Sequence, residues 1–366
     1  MATGEDTARV YALGDGVRIF RSGEEIRFRK GVWSYNEAVV GLAGQGERTA
    51  RFFGIVYEAL VQGRDADADA IAGEVGASAE ELASYCELLE NLKSQQFLRD
   101  AKQKGVARVV RALFGGTVGG FEDRISAPLP VLFFSDSQYA REAARTLAKE
   151  IGLPLDILDD ETARALAAAN LTTRTDAVAH AEAAAKFEKV IQPYYSCVVG
   201  CVAAPNLSML RNLNRLLVRM EKPLILGLID GPFVCLLSTL ATETGCFECF
   251  EQRMLARLED TVVYHQFVKS TVAGSPPGGP CAAPALHMLT AAVISEGYAY
   301  STIGMQRLAG RIVNIYLPLL EIQVQDLLRV PYCPACGFIS TAQMNEMYTS
   351  TKRLVAEMVE NIEIEG

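Results

Sequence analysis

The sequence has no charge-free apolar run of about 18 residues, which excludes a membrane-spanning helix. Its start, MATGEDTARV, has no basic stretch leading into an apolar core, so no secretory signal is expected and a cytoplasmic location follows by default. Positive charge is in deficit: 35 Lys and Arg against 44 Asp and Glu give a net charge of −9, which argues against a general nucleic-acid binder. Histidine is scarce as well. His180, His265 and His287 stand alone, with no carboxylate or thiolate at ligand spacing, so histidine-based catalysis or metal binding has no visible basis.

What the chain does have is cysteine, nine in 366 residues, in a sequence half hydrophobic and long enough for two domains with cores of their own. In a reducing compartment such thiols are more naturally metal ligands and buried side chains than disulfides. Four of them form two CxxC pairs, Cys246 and Cys249 in TGCFECFEQR and Cys333 and Cys336 in RVPYCPACGF. Each pair offers two sulfurs on one tight turn, which is what a tetrahedral structural Zn2+ site requires, and four thiolates leave no open position for catalysis. Iron–sulfur ligation is the competing reading. Arg253, four residues after Cys249, is expected to orient this knuckle. Cys197 and Cys201, four apart on one strand face, and Cys86 and Cys235 read as small core residues. Cys281 follows the loop GSPPGGP and is a candidate thioester nucleophile.

The N-terminal hundred residues open with RVYAL, GVRIF and EEIRFRK, separated by Asp15-Gly16 and Ser22-Gly23, the pattern of a three-stranded antiparallel sheet. Helical periods follow: a short helix with Val39, Val40 and Leu42, a second with Phe52, Phe53, Val56 and Leu60, and a third with Ile71 and Val75. Ser78 and Glu81 form a capping box that starts a fourth helix, and the strand QFLRD closes the unit. Sheet, helices and strand together outline a winged helix over residues 1–100. Those residues carry 11 Lys and Arg against 17 Asp and Glu, and the helix that would enter DNA reads SAEELASYCELLENL, so phosphate would repel it and a peptide fits better. Residues 101–126 read as a basic connector helix and a glycine-rich join, GGTVGG.

From residue 127 to 366 the pattern alternates strand and helix: LPVLFFSD, SQYAREAARTLAKEI, LPLDILDD, two alanine-rich helices, YYSCVVGCV, NLSMLRNLNRLLVRM, PLILGLI and FVCLL. Strands separated by helices imply parallel pairing and an α/β, Rossmann-like sheet. The turn after the first strand is Ser135-Asp136-Ser137-Gln138, without a glycine and with a carboxylate where phosphate would approach, so no nucleotide is expected. Asp159 and Asp160 end the second strand, where a ribose-binding carboxylate would stand.

The GCFECFEQR motif near the end of such a sheet and RVPYCPACG after it, with EIRFRKG before the helices and PLILGLIDGPFVCLL before the first CxxC, resemble the adenylating-enzyme-like scaffold proteins of the ThiF superfamily. The resemblance covers nearly the whole chain. It implies an N-terminal winged-helix domain that recognises a precursor's leader peptide, and a non-catalytic subunit of a thiazole/oxazole-forming cyclodehydratase of the microcin type. The partners implied are the precursor peptide, an ATP-dependent YcaO-type subunit, a flavin-dependent dehydrogenase in some complexes, and a second copy of the chain. The apolar stretches ALHMLTAAVISEGYAYSTIG and RLVAEMVENI fit self-association. The leader is expected to add a strand to the sheet edge formed by Glu24, Glu25, Ile26, Arg27, Phe28 and Arg29, with Arg27 and Arg29 outward, Ile26 and Phe28 toward the core, and Leu82, Tyr85 and Leu89 lining the pocket beside it. The alternative is an active adenylating, thioester-forming enzyme.

Overall fold

A computed structural model of the chain describes residues 9–33, 35–101, 105–114, 124–172, 177–191, 194–240, 243–271 and 282–337. Two compact units are present, Met1–Asp123 and Arg124–Gly366.

The first unit runs β1 (Val10–Leu13), β2 (Val17–Ser22), β3 (Glu25–Lys30), β4 (Asn36–Gly41), α1 (Glu47–Val61), β5 (Ala66–Asp67), α2 (Ala68–Val75), α3 (Ala79–Ser94), β6 (Leu98–Asp100) and α4 (Gly105–Phe114). Its strands divide between two small sheets, ordered β5-β1-β6 and β2-β3-β4. Two sequence expectations fail here. RVYAL leaves the glycine-linked pair to join β5 and β6, and the segment with Val39 and Val40 is a strand, not a helix. A run of only six residues with a β-branched pair carries no decisive period, and pairing along the whole of β3 settles it as strand. β3 is therefore the central strand, bonded to β2 on one side and β4 on the other, and it has no open edge. The free edges belong to β2 and β4.

The helices follow the sequence more closely. Ser78 accepts from the Glu81 amide at 3.2 Å while the Glu81 carboxylate accepts from the Ser78 amide at 2.7 Å, closing the capping box of α3. α1 and α3 turn Phe52, Phe53, Val56, Tyr85, Leu89 and Leu92 onto one core with Ile26, Phe28 and Val40 of the sheet. Tyr85 stacks on Phe52 with ring centroids 4.4 Å apart, and its hydroxyl meets Thr49 Oγ1 at 3.0 Å.

The second unit runs β7 (Val131–Phe134), α5 (Gln138–Ile151), β8 (Leu155–Ile157), α6 (Asp160–Ala168), α7 (Ala177–Val190), β9 (Val198–Val202), α8 (Leu207–Arg219), β10 (Leu224–Asp230), β11 (Phe233–Thr239), α9 (Phe247–Leu255), α10 (Thr261–Thr271), α11 (Ala283–Ile303), β12 (Arg311–Tyr316) and β13 (Glu321–Asp326). One seven-stranded sheet is ordered β13-β12-β11-β10-β9-β7-β8. β8, β7, β9 and β10 are parallel, as their helical connections require, whereas β11, β12 and β13 continue antiparallel. β7 and β9 are fully buried and β10 is buried over Leu224–Leu228, whereas β8, at the sheet edge, is partly exposed.

The apolar stretch from Ala285 is α11, buried nearly throughout from Leu289 to Ile303 with Val293 and Tyr298 inside, while Pro284, His287 and Met288 near its start are exposed. A helix hydrophobic all round belongs inside. Its apolarity is therefore spent on the sheet, and it no longer argues for self-association; RLVAEMVENI lies outside the described residues, as does Cys281. Cys197, Cys201 and Cys235 are buried core thiols, and burial pushes each up to about 12.

Replacing Ser78 by Ala removes one half of the reciprocal cap. The amides of residues 79–94 are expected to exchange faster, by an opening free energy lower by about 1 kcal/mol; unchanged exchange would show that packing alone holds the helix start.

Candidate functional site

Cys246 is the residue just before α9, and Cys249 lies one turn inside it, so the helix start presents two sulfurs on one face. Cys333 and Cys336 stand on the turn that follows β13. Two glycines make both turns possible. A Cβ on Gly245 would come within 2.9 Å of the Leu327 and Leu328 carbonyl oxygens, and one on Gly337 within 2.5 Å of the Cys333 oxygen.

All four sulfurs are buried and lie within 4.8 Å of one another. The separations are 3.9 Å for Cys246–Cys249, 3.6 Å for Cys246–Cys333 and 3.4 Å for Cys249–Cys336. Four sulfurs at about 2.3 Å from one tetrahedral ion stand about 3.8 Å apart, so the spacing fits a single ion and is far too long for disulfide bonds, which need about 2.05 Å. At an effective dielectric constant of about 20, two thiolates at this distance repel by roughly 4–5 kcal/mol, and only a cation allows all four to ionise. Hydrogen bonding from Cys246, with help from the Val330 amide, holds Cys249 far below the ordinary thiol range.

The surroundings of the sulfurs were not legible from the CxxC pattern. The Val330 amide donates to Cys249 Sγ at 3.3 Å, and Asn214 Nδ2 to Cys246 Sγ at 3.5 Å. Asn214 also accepts the Phe247 amide at 3.0 Å and donates to Glu248 at 3.2 Å. Glu248, buried, is gripped by Arg215 through bonds of 2.5 and 2.7 Å. Burial raises the Glu248 carboxyl and Arg215 counters it. One turn further along the two helices, Arg211 repeats the grip on Glu251 at 2.8 Å. The signal for this network was present as Asn, Arg and Glu interrupting apolar stretches of α8 and α9. As expected, Arg253 braces the knuckle, donating to the Leu328 carbonyl at 3.2 Å.

At the C-terminal ends of β7 and β9 lies the crevice where strand order reverses, with β8 on one side of β7 and β9 on the other. Asp136 reaches across it. Its carboxylate accepts the Ala203 and Ala204 amides at 2.9 and 2.6 Å. Ser137 caps α5, and Arg141 ties the Ser135 carbonyl at 2.9 Å and pairs with Asp160. Asp159 caps α6 by accepting from Thr162 at 2.7 Å. Both acidic residues at the end of β8 thus have structural partners. The histidines have modest ones: His180 meets the Leu171 carbonyl and His287 the Tyr139 hydroxyl.

In the N-terminal unit the residues predicted to receive a peptide are partly engaged. Ile26 and Phe28 face the core, as expected. Arg27 binds Glu25 at 2.6 Å and Glu37 at 3.4 Å, and Arg29 lies 3.8 Å over the Tyr35 ring. Tyr85 and Leu89 are fully committed to the core, while Leu82 is half-buried. Glu24 offers its carbonyl to Leu42 at 2.8 Å.

No family model and no curated protein matches the chain. Solved structures share its fold. The heterocyclase TruD is similar over 90% of this chain, at 14% identity and a TM-score of 0.57, and the chain spans 43% of that protein's length. A heterocyclase in complex with substrate and cofactor is similar over 90% of this chain and 39% of its own, again at 14% and 0.57. MccB of E. coli with MccA is similar over 90% of this chain and 100% of its own, at 15% identity and a TM-score of 0.50.

Metal analysis of the purified chain is expected to find about one ion per chain. Cys333→Ser should lose it and destabilise the unit from residue 124 onward, because formation of a closed site contributes folding free energy. A soluble, folded, metal-free wild type would show that apolar packing holds the knuckle.

Proposed function

We propose that the chain is the peptide-binding, non-catalytic subunit of a synthetase that forms azoline and azole rings in ribosomally made peptides. It holds the precursor's leader and presents core Cys, Ser and Thr residues to an ATP-dependent YcaO-type partner, with a flavin-dependent dehydrogenase in some assemblies and a second copy of the chain as a further partner. The ion in the four-cysteine centre is Zn2+, in a structural role, and the second unit is an adenylating-type, Rossmann-like scaffold that has lost its nucleotide.

The observation that carries this reading is Asp136. A nucleotide-using sheet presents free backbone amides to phosphate at its strand-order switch point; here a carboxylate of the chain itself takes the Ala203 and Ala204 amides. Phosphate would have to break both bonds and meet a like charge. The ring-forming chemistry named for the heterocyclases of the same fold is accordingly assigned to a partner.

Peptide capture is assigned to the β2-β3-β4 sheet of a winged-helix unit, and to the β4 edge in place of β3. Beside β4 the chain exposes Val32, Trp33 and Tyr35, and Val39 projects from the strand itself, an apolar margin that suits an added strand. Leu82 of α3 remains available to a leader side chain, whereas Tyr85 and Leu89 act through the core.

Hydrogen–deuterium exchange of the full chain, with and without a cognate leader peptide, tests the assignment. Amides of residues 36–41 are expected to slow by tenfold or more. Protection confined to residues 17–22 would move the peptide to β2, and none in either strand would overturn strand addition. ATP binding or pyrophosphate release by the isolated chain would instead favour the adenylating enzyme.

A further inference from the structure

The N-terminal unit contains a cavity of about 330 Å³ that plays no part in the sheet edge. It is walled by the β1–β2 turn at Gly14 and Asp15, by Lys30 at the end of β3, by Gln96 and Arg99 around the start of β6, and by Arg111 of α4. Three cations face it and one carboxylate. That carboxylate is already taken, since Arg108 binds Asp15 in a fork at 2.8 and 3.1 Å.

One of the cations has a buried donor left over, and another is held by no side chain. The Nε of Arg99 is buried and has no acceptor among the described residues, while Nη1 donates to the Asp100 carbonyl at 3.3 Å; a buried guanidinium N–H without an acceptor is costly. Lys30, exposed at the end of β3, has no side-chain partner among the described residues. The wall between them is rigidly shaped. Gln96 holds φ at +63°, a left-handed conformation unusual for a residue with a side chain, and the Gly14 amide donates to the Phe97 carbonyl at 2.9 Å. A Cβ at Gly14 would come within 2.4 Å of the Gln96 carbonyl oxygen, so only glycine permits this close approach.

The cluster is also a local exception. Residues 1–100 have 11 basic and 17 acidic residues, a balance of −6, and the three cations lining the cavity stand out against that acidic background as a place that attracts a carboxylate. A planar guanidinium beside an ammonium matches a carboxylate, each N–H taking one oxygen lone pair. We propose that this cavity binds the carboxylate of an acidic side chain in a peptide, giving the leader a second, charge-selective contact away from the strand edge. The proposal rests on the peptide-binding reading above.

The probe is fluorescein-labelled tetraglutamate, titrated into the full chain by fluorescence polarisation at fixed ionic strength. Saturable binding is expected, weakened about tenfold or more in Arg99→Gln and in Lys30→Gln and unchanged in Arg64→Gln, an exposed arginine elsewhere on the unit that donates to Gln62. Lys30 is exposed at a strand end, so its variant keeps the test valid if Arg99→Gln fails to fold. Equal affinity in Lys30→Gln, or no saturable binding by the wild type, would overturn the proposal. Displacement of the probe by inorganic phosphate at the same concentration would overturn it too, because the site would then select phosphate. Tetraglutamate binding together with no protection of β4 by the leader would keep the carboxylate site and remove the strand-edge reading; the reverse pair of results would remove the cavity alone.

Discussion

The convergence of four buried sulfurs from two distant turns on one point is the constraint on which the later half of the second unit depends. Cys246 and Cys333 are 87 residues apart and their sulfurs 3.6 Å apart. Closing a flexible loop of that length costs on the order of 4 kcal/mol in chain entropy, whereas a structural zinc contributes roughly 10–16 kcal/mol in small metal-folded domains. An ion is therefore ample to hold the loop closed. What the loop contains explains why closure matters: α9, α10, α11, β12 and β13 all lie inside it. The last two strands of the antiparallel extension and the internal helix are thus fastened at both ends to one point.

Asp136 extends the same logic of internal satisfaction to the crevice. Amides at the ends of parallel strands need an acceptor, and a sheet that binds nucleotide leaves them to its ligand. Here the acceptor is covalently part of the chain, so its effective concentration is high and no binding entropy is lost. The result is a sheet whose most ligand-prone corner is already complete.

The sequence made the regular parts of this architecture legible and left its exceptions hidden. Ser78 and Glu81 announced α3, the alternation from Val131 to Val202 announced the parallel strands, and the two CxxC pairs announced the centre, because each signal is local. The errors arose where a local pattern had to choose a distant neighbour. Val39 and Val40 fit a helix turn or a strand equally well, and only β3 decides between them; β1 reads like the first strand of a meander until β5 and β6 claim it. The apolar run of α11 reads as surface or as core until the sheet covers it. Side chains that act through others, such as Asn214 on Cys246, gave only the weak signal of polar residues among apolar ones.

The ionic pair of Arg215 and Glu248 suggests why that hidden layer exists. Buried pairs of this kind stabilise little, since desolvation cancels most of the attraction and apolar replacements of similar volume are often neutral. Its value is then geometric. Arg215 fixes Glu248, Glu248 takes one Asn214 hydrogen, and Asn214 is left with one donor for Cys246 Sγ and its oxygen for the Phe247 amide. An amide so constrained has one orientation, and it neutralises part of the charge on one sulfur while fixing the first turn of α9. The same helix pair carries Arg211 and Glu251 a turn away, so two ionic contacts hold α8 and α9 in register. The four-sulfur geometry is in this sense set by packing and hydrogen bonds of the chain itself, at a spacing that fits a single ion.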